Sequence, residues 1–106
     1  MLRIYDDCLE MLREVEGMAV AIERRDRDRA RQVRRSGASV HLNVAEGSGC
    51  RGGTRRMRYQ DALGSARETV ANLEGAAAVG FVRPMSPQLR GHFNKIIGTL
   101  VTILHK

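Results

Sequence analysis

Apolar side chains recur at alternating steps of three and four residues in four successive segments, the spacing that gives a helix one dry face. The first segment runs Ile4, Cys8, Met11, Val15, Met18 and Ile22. Tyr5, Leu12 and Ala19 widen that stripe, and Leu2 and Leu9 extend it, so this helix carries more apolar surface than one seam needs. The second runs Ala30, Val33, Gly37, Val40, Val44 and Gly47, and the third Tyr59, Leu63, Ala66, Val70, Leu73 and Ala77. The fourth runs Leu89, Phe93, Ile96, Leu100 and Ile103. Such alternation belongs to near-antiparallel bundles whose helices cross at about 20°. With short links it predicts an all-α, antiparallel up-down-up-down four-helix bundle.

The breaks between segments carry turn chemistry. Gly47 to Gly53 reads as a flexible glycine-rich loop, after which Thr54 is placed to cap helix three. Gly80 is placed to end that helix, and Ser86-Pro87 reads as a cap followed by proline at the first helical position. The first link is the least marked. No glycine or proline lies between Glu23 and Ala30, so a continuous helix competes with a tight turn near Arg25–Asp28. In that turn Asp26 and Asp28 cap helix two or favour its dipole. Helix two then runs from about Asp28 to Gly47, a span of roughly 30 Å. It holds the small residues Ser36, Gly37, Ala38, Ser39, Ala45 and Gly47. An interior glycine costs about 1 kcal/mol relative to alanine, so close approach to a neighbouring helix is expected to compensate.

Bulk composition narrows the class. A chain of 106 residues is expected to form one domain, residues 1–106, with a modest core. With no Trp, two Phe and two Tyr, that core is aliphatic, which suits packed helices. No stretch approaches the roughly 20 apolar residues of a membrane span. The N-terminus has no basic region leading into an apolar run, so a cytoplasmic location is expected, with Cys8 and Cys50 as free thiols. Cys8 falls on the apolar face of helix one and reads as a core residue, whereas Cys50 sits in the glycine-rich loop.

Charge changes the picture most. From Arg24 to Arg35 the chain reads RRDRDRARQVRR, seven arginines against two aspartates, a local charge of +5. Arg51, Arg55, Arg56 and Arg58 add +4, so the two clusters together exceed the net charge of +6 for the whole chain. Arginine outnumbers lysine sixteen to two. A GC-rich genome accounts for that ratio but not for the clustering. Clustered guanidinium groups point to an anionic partner, nucleic acid first. The candidate contact residues are Arg24, Arg25, Arg27, Arg31, Arg34 and Arg35, then Arg51, Arg55, Arg56 and Arg58. The two clusters bracket helix two, so they mark opposite ends of the bundle. A long polymer, or ligands meeting opposite faces of an oligomer, can use both.

Nothing in the sequence assembles a reactive constellation. His41, His92 and His105 are scattered, two cysteines without a nearby histidine pair make no zinc site, and the Gly47–Gly53 loop lacks the Lys-Ser/Thr ending of a phosphate-binding loop. No cofactor or metal is expected, and the protein reads as a non-enzyme. Asn43 and Glu46 share a face of helix two, and Glu68 on helix three is placed to meet one of them or an arginine. These three read as a structural polar network that fixes helix register.

The segment Arg34-Arg35-Ser36-Gly37-Ala38-Ser39-Val40-His41-Leu42-Asn43-Val44-Ala45-Glu46-Gly47 resembles the signature of proteins encoded in intervening sequences of bacterial 23S rRNA genes. The family pattern is an Arg-Ala-Ala-like lead followed by Ser-Ile-Pro-x-Asn-Ile-Ala-Glu-Gly. A second element, Tyr59 to Thr69, is similar to the family's aromatic followed by Ala-x-Gly-Ser-x-x-Glu. His41 stands where the family has proline, which puts any kink in helix two in question. The link between helices one and two is also shorter and richer in arginine than usual. The resemblance implies a four-helix bundle assembling into a ring-shaped homo-oligomer, usually a homopentamer, which would employ the surplus stripe on helix one. Related accessory variability proteins of diversity-generating retroelements are basic and pentameric and bind both a reverse transcriptase and nucleic acid. The resemblance therefore implies RNA or DNA binding through arginine–phosphate contacts, with a reverse transcriptase as a further partner. The competing expectation is a scaffold or adaptor whose arginines meet an acidic protein.

Overall fold

The computed structural model describes residues 2–106 and contains four α-helices among them. They are α1 (Ile4–Glu23), α2 (Arg27–Ser48), α3 (Gly52–Ala78) and α4 (Pro87–Leu104). Sequential neighbours pack against each other and α4 closes back on α1, the arrangement of an up-down-up-down bundle. Its longest dimension is 42 Å.

The link between α1 and α2 is a turn, not a continuous helix. Asp26 leaves helical geometry at φ −155° and its carboxylate accepts the Arg29 backbone N–H at 3.0 Å. That cap replaces a glycine or proline as the breaking device and is worth about 1 kcal/mol. The turn lies at Arg24–Asp26, slightly earlier than the expected Arg25–Asp28, and α2 starts at Arg27. Gly80, at φ +81°, closes α3: the Phe81 N–H reaches the Ala76 carbonyl at 2.9 Å and the Gly80 N–H reaches Ala77 at 3.0 Å. Ser86 caps α4 by accepting the Leu89 N–H at 3.0 Å, with Pro87 first in the helix.

Two expectations about the α2–α3 link are corrected. Thr54 does not cap α3: the helix begins at Gly52 behind Arg51, and no side chain caps it. Nor is Gly47–Gly53 a loop throughout, since α2 continues to Ser48 and α3 has begun by Gly52. Gly47 is a packing glycine. A Cβ built there would lie 2.4 Å from Cε1 of Tyr59, so the missing side chain is what lets the Tyr59 ring lie against α2. Gly37 is different. A Cβ there would meet Leu12 and Val15 at 3.6 Å, ordinary contact, so close approach does not account for this glycine.

The buried seam follows the predicted pattern closely in α2 and α4, with Ile103 half-buried at the end of the latter. In α1, Ala19 takes the buried place expected for Met18, which packs at the margin. In α3 the register is corrected: Tyr59, Ala62, Ala66, Thr69, Leu73 and Ala76 are buried, while Leu63 and Val70 pack at the edge of the core. The buried face carries small residues that fit the small face of α2, and on it Ser36 and Thr69, 4% and 0% exposed, meet with their oxygens 2.7 Å apart.

Across the α1–α2 side, Arg34 spans two turns of α1. Its Nε and Nη2 donate to the two oxygens of Glu16 at 2.9 and 3.0 Å, and Nη1 donates to Glu23. Tyr5 on α1 and His41 on α2 pair at 2.9 Å between the hydroxyl and Nε2. α2 stays helical through His41 from Arg27 to Ser48. On the α1–α4 side, His92 Nδ1 lies 2.8 Å from Asp7, and Ser86 donates to Glu14 at 2.9 Å. Cys8 is wholly buried, and burial, reinforced by the Asp7 charge, pushes its thiol up to about 12.

Two outcomes follow. Gly47→Ala lowers unfolding stability by about 1–3 kcal/mol through the Tyr59 clash, whereas Gly37→Ala raises it by about 0.5–1 kcal/mol. Denaturant melts of the two variants check this, and equal effects would refute it. The second concerns Glu16. Hydrogen bonds from Arg34 hold its carboxyl below the ordinary 4.5, with slight desolvation opposing and the guanidinium charge reinforcing them. A lowered folded pKa means this stabilisation is in place above the unfolded pKa and is lost as pH falls through the folded one. Arg34→Gln therefore moves the Glu16 titration up toward 4.5, read from carboxyl carbon shifts by NMR. An unmoved titration would show that the bridge does not hold in solution.

Candidate nucleic-acid interface

The antiparallel path decides where the arginines stand. The ends of α1 and α3 meet the starts of α2 and α4 at one end of the bundle, and the starts of α1 and α3 meet the ends of α2 and α4 at the other. The first cluster therefore occupies one end and the second the opposite end.

At the first end, Arg24 and Arg27 are exposed and meet no carboxylate within ion-pair distance among the described residues. Arg25 is also exposed and stacks its guanidinium 5.3 Å from the centre of the Phe81 ring. This contact ties the α1–α2 turn to the segment after α3 while leaving the cation's outer face to solvent. Arg31 pairs with Asp28 one turn back. Arg27, Arg31, Arg34 and Arg35, with Glu23 and Asp28, line an open hollow of about 670 Å³. Within it Arg34 is held by Glu16 and Glu23, so its charge is matched inside the fold. Its hydrogen bonds to both carboxylates push its pKa further up, which fixes it as a permanent cation. Arg29 turns inward, with Nη1 3.5 Å from the Asn72 carbonyl on α3.

At the second end, Arg51 is exposed, Arg55 donates Nε to the Cys50 carbonyl at 2.7 Å, and Arg56 donates Nη2 to the Leu104 carbonyl at 2.7 Å. Carbonyl partners orient these side chains without cancelling their charge. Arg58 differs, pairing with Glu46 at 3.0 Å across α2 and α3. The topology adds cations that the linear clusters did not include. Arg3 precedes α1 at this end, and the Arg56–Leu104 contact brings Lys106 beside the α2–α3 turn. The signal for them was the antiparallel order itself, which folds Arg3 and Lys106 toward that turn.

The polar network is built differently from expectation. Asn43 donates to the carbonyl and hydroxyl of Ser39 at 2.9 and 3.0 Å, and Ser65 on α3 donates to Ser39 Oγ at 2.8 Å. Thr69 Oγ1 lies 2.7 Å from both Ser36 Oγ and the Ser65 carbonyl and donates to one or the other. Glu46 stands outside this ladder, on Arg58, and Glu68 is exposed. Glu68 instead edges an open groove of about 590 Å³ between α2 and α3, with Arg35, Ser36, Ser39, Ser65 and Asn72. Among the described residues no group of three His, Cys, Asp or Glu side chains is placed to hold a metal ion, and no helix is long and apolar enough to cross a membrane.

The fold has a solved counterpart. A Bacteroides thetaiotaomicron protein with unknown function from the S23 ribosomal protein family superposes with a TM-score of 0.81 at 19% identity, covering 97% of this chain and 99% of that one. At that identity the likeness is one of fold. A comparison with curated proteins finds no match. The model of the 23S rRNA-intervening sequence proteins matches residues 1–101, nearly the whole bundle including the Ser36–Gly47 and Tyr59–Thr69 elements that form the α2–α3 seam, and the chain therefore belongs to that family.

Proposed function

We propose that this protein is a non-enzymatic nucleic-acid-binding bundle that acts through arginine–phosphate contacts in the cytoplasm. The observation that carries this reading is the uncompensated positive charge at both ends, with Arg24 and Arg27 at one and Arg51, Arg55 and Arg56 at the other. Arg25 and Arg35 extend the first patch. Arg31, Arg34 and Arg58 share their charge with carboxylates and contribute less. Binding RNA or DNA through phosphates needs no sequence readout and is strongly salt-dependent.

A homo-oligomer fits the same reading. Val20 on α1 and Leu42 on α2 are 45% and 52% exposed, and a ring would cover such side chains and repeat each modest basic patch around an assembly. A pentamer is the expected form, with a reverse transcriptase as a further partner by relationship to the accessory variability proteins. Light scattering at micromolar concentration returns a multiple of the 11.8 kDa subunit mass, and a clean monomer would remove the ring.

In gel shifts the affinity falls by about 0.7–0.9 log units per log unit of salt for each phosphate contact. Arg24→Gln lowers that slope by about one contact, and Arg34→Gln leaves it unchanged because Glu16 and Glu23 already hold that charge. No shift at low ionic strength would end this reading. Capture of one acidic protein after nuclease treatment would favour the scaffold instead.

A further inference from the structure

Resting on the nucleic-acid reading, we infer that the polyanion is a duplex, held by backbone phosphates at the two ends of the bundle about one helical turn apart. The argument begins on α2. Its 22 residues span about 33 Å. Arg31, Arg35 and Leu42, four and seven residues apart, share its outer face. That face is charged at the start, with Arg27 and Arg35 exposed. It carries no cation through Ala38, Leu42 and Ala45, Glu46 near its end is held by Arg58, and unpaired positive charge returns past its end at Arg51 and Arg55. This face of the molecule therefore has two basic ends and, between them, a waist without cations that exposes a leucine.

A flexible single strand is held by a continuous cationic track with aromatic rings on which bases stack. Neither lies along this face among the described residues. Tyr59 and Phe93 are buried, Tyr5 is paired with His41, and Phe81 lies under Arg25. A duplex has the complementary geometry. It returns the same backbone face once per turn, about 34 Å in B-form, and a protein can meet successive grooves of an A-form helix along one side. Across the 42 Å length of the bundle, phosphates meet arginines at both ends while the groove between them passes over the waist without needing a contact. The same charge pattern serves RNA and DNA duplexes.

Fluorescence anisotropy at about 50 mM salt tests this with RNA and DNA duplexes of about 24 base pairs, their separate strands, and duplexes of about 8 base pairs, too short to reach both ends. The long duplex of at least one kind binds about tenfold tighter than its strands and than the short duplex. Removing either end, as Arg24→Ala with Arg27→Ala or Arg51→Ala with Arg55→Ala, brings the long duplex down to the level of the short one. Lysine at the same positions retains binding, and unchanged circular dichroism confirms that each variant folds. If strands bind as tightly as the duplex, or length makes no difference, the duplex inference falls and the nucleic-acid reading stands. If no probe binds, that reading falls as well.

Discussion

Everything in this bundle hangs on how closely α2 and α3 approach. Gly47 admits the Tyr59 ring where a Cβ would overlap it, and above that contact the two helices meet through Ser39 with Ser65 and Ser36 with Thr69. Buried hydroxyls are tolerable only when bonded, since an orphaned one costs about 1–3 kcal/mol. Each of these four finds a partner in the ladder or on its own helix. Such a seam specifies register sharply, because sliding α3 by one residue would unpair the hydroxyls and drive Tyr59 off its glycine. The hydrophobic core is shared by all four helices, with Met11, Val15 and Ile22 from α1, Val33, Val40 and Val44 from α2, Leu73 from α3, and Leu89, Phe93, Ile96 and Leu100 from α4. The larger side chains of α1 and α4 join the valines of α2 in one cluster, while the hydroxyl contacts sit at the α2–α3 seam and set its register.

The same asymmetry sorts the arginines of α2. A residue on this helix faces α1, α3 or solvent according to its angle about the axis, and its charge has a different fate in each direction. Arg34 faces α1 and is taken by Glu16 and Glu23, Arg29 faces α3 and reaches the Asn72 carbonyl, and Arg27 and Arg35 face out. The acidic character of α1 is partly the counterpart of this arrangement. A linear sum of charge along Arg24–Arg35 therefore overstates what a ligand would meet, and a sum over the second cluster understates it by omitting Arg3 and Lys106.

Sequence made the four helices legible because three independent signals agreed at most boundaries: period, cap and breaker. Asp26, Gly80 and Ser86-Pro87 act through the local hydrogen bonds their types predict. The register of α3 was not legible. A template that seeks large residues selects Leu63 and Val70, whereas the face that is buried carries Ala62, Ala66, Thr69 and Ala76 to fit the small face of α2. Gly47 was open to two readings, the last seam position of helix two, where close approach is expected, and the first residue of a flexible loop; the Tyr59 ring against it decides for the first. Of the candidate site, the placement of both clusters at the ends follows from helix order alone. Which arginines are spent internally depends on carboxylates up to eighteen residues away, across a helix interface, and no local pattern encodes that.

The placement of the remaining positive charge runs against helix electrostatics. Cations favour a helix C-terminus and disfavour the N-terminus, where the backbone dipole is positive. No helix here has a basic residue in its last turn, yet α2 opens with Arg27 and α3 opens behind Arg51 with Arg55 and Arg56 close by. In α2 the conflict is moderated by Asp26 and Asp28. In α3 it is not, because that helix has no acidic residue in its first turn and no side-chain cap. The N-terminus of the longest helix is thus left without a side-chain cap and with guanidinium groups beside it, whereas α1, equally uncapped behind Arg3, has Asp6 and Asp7 in its first turn to offset that charge.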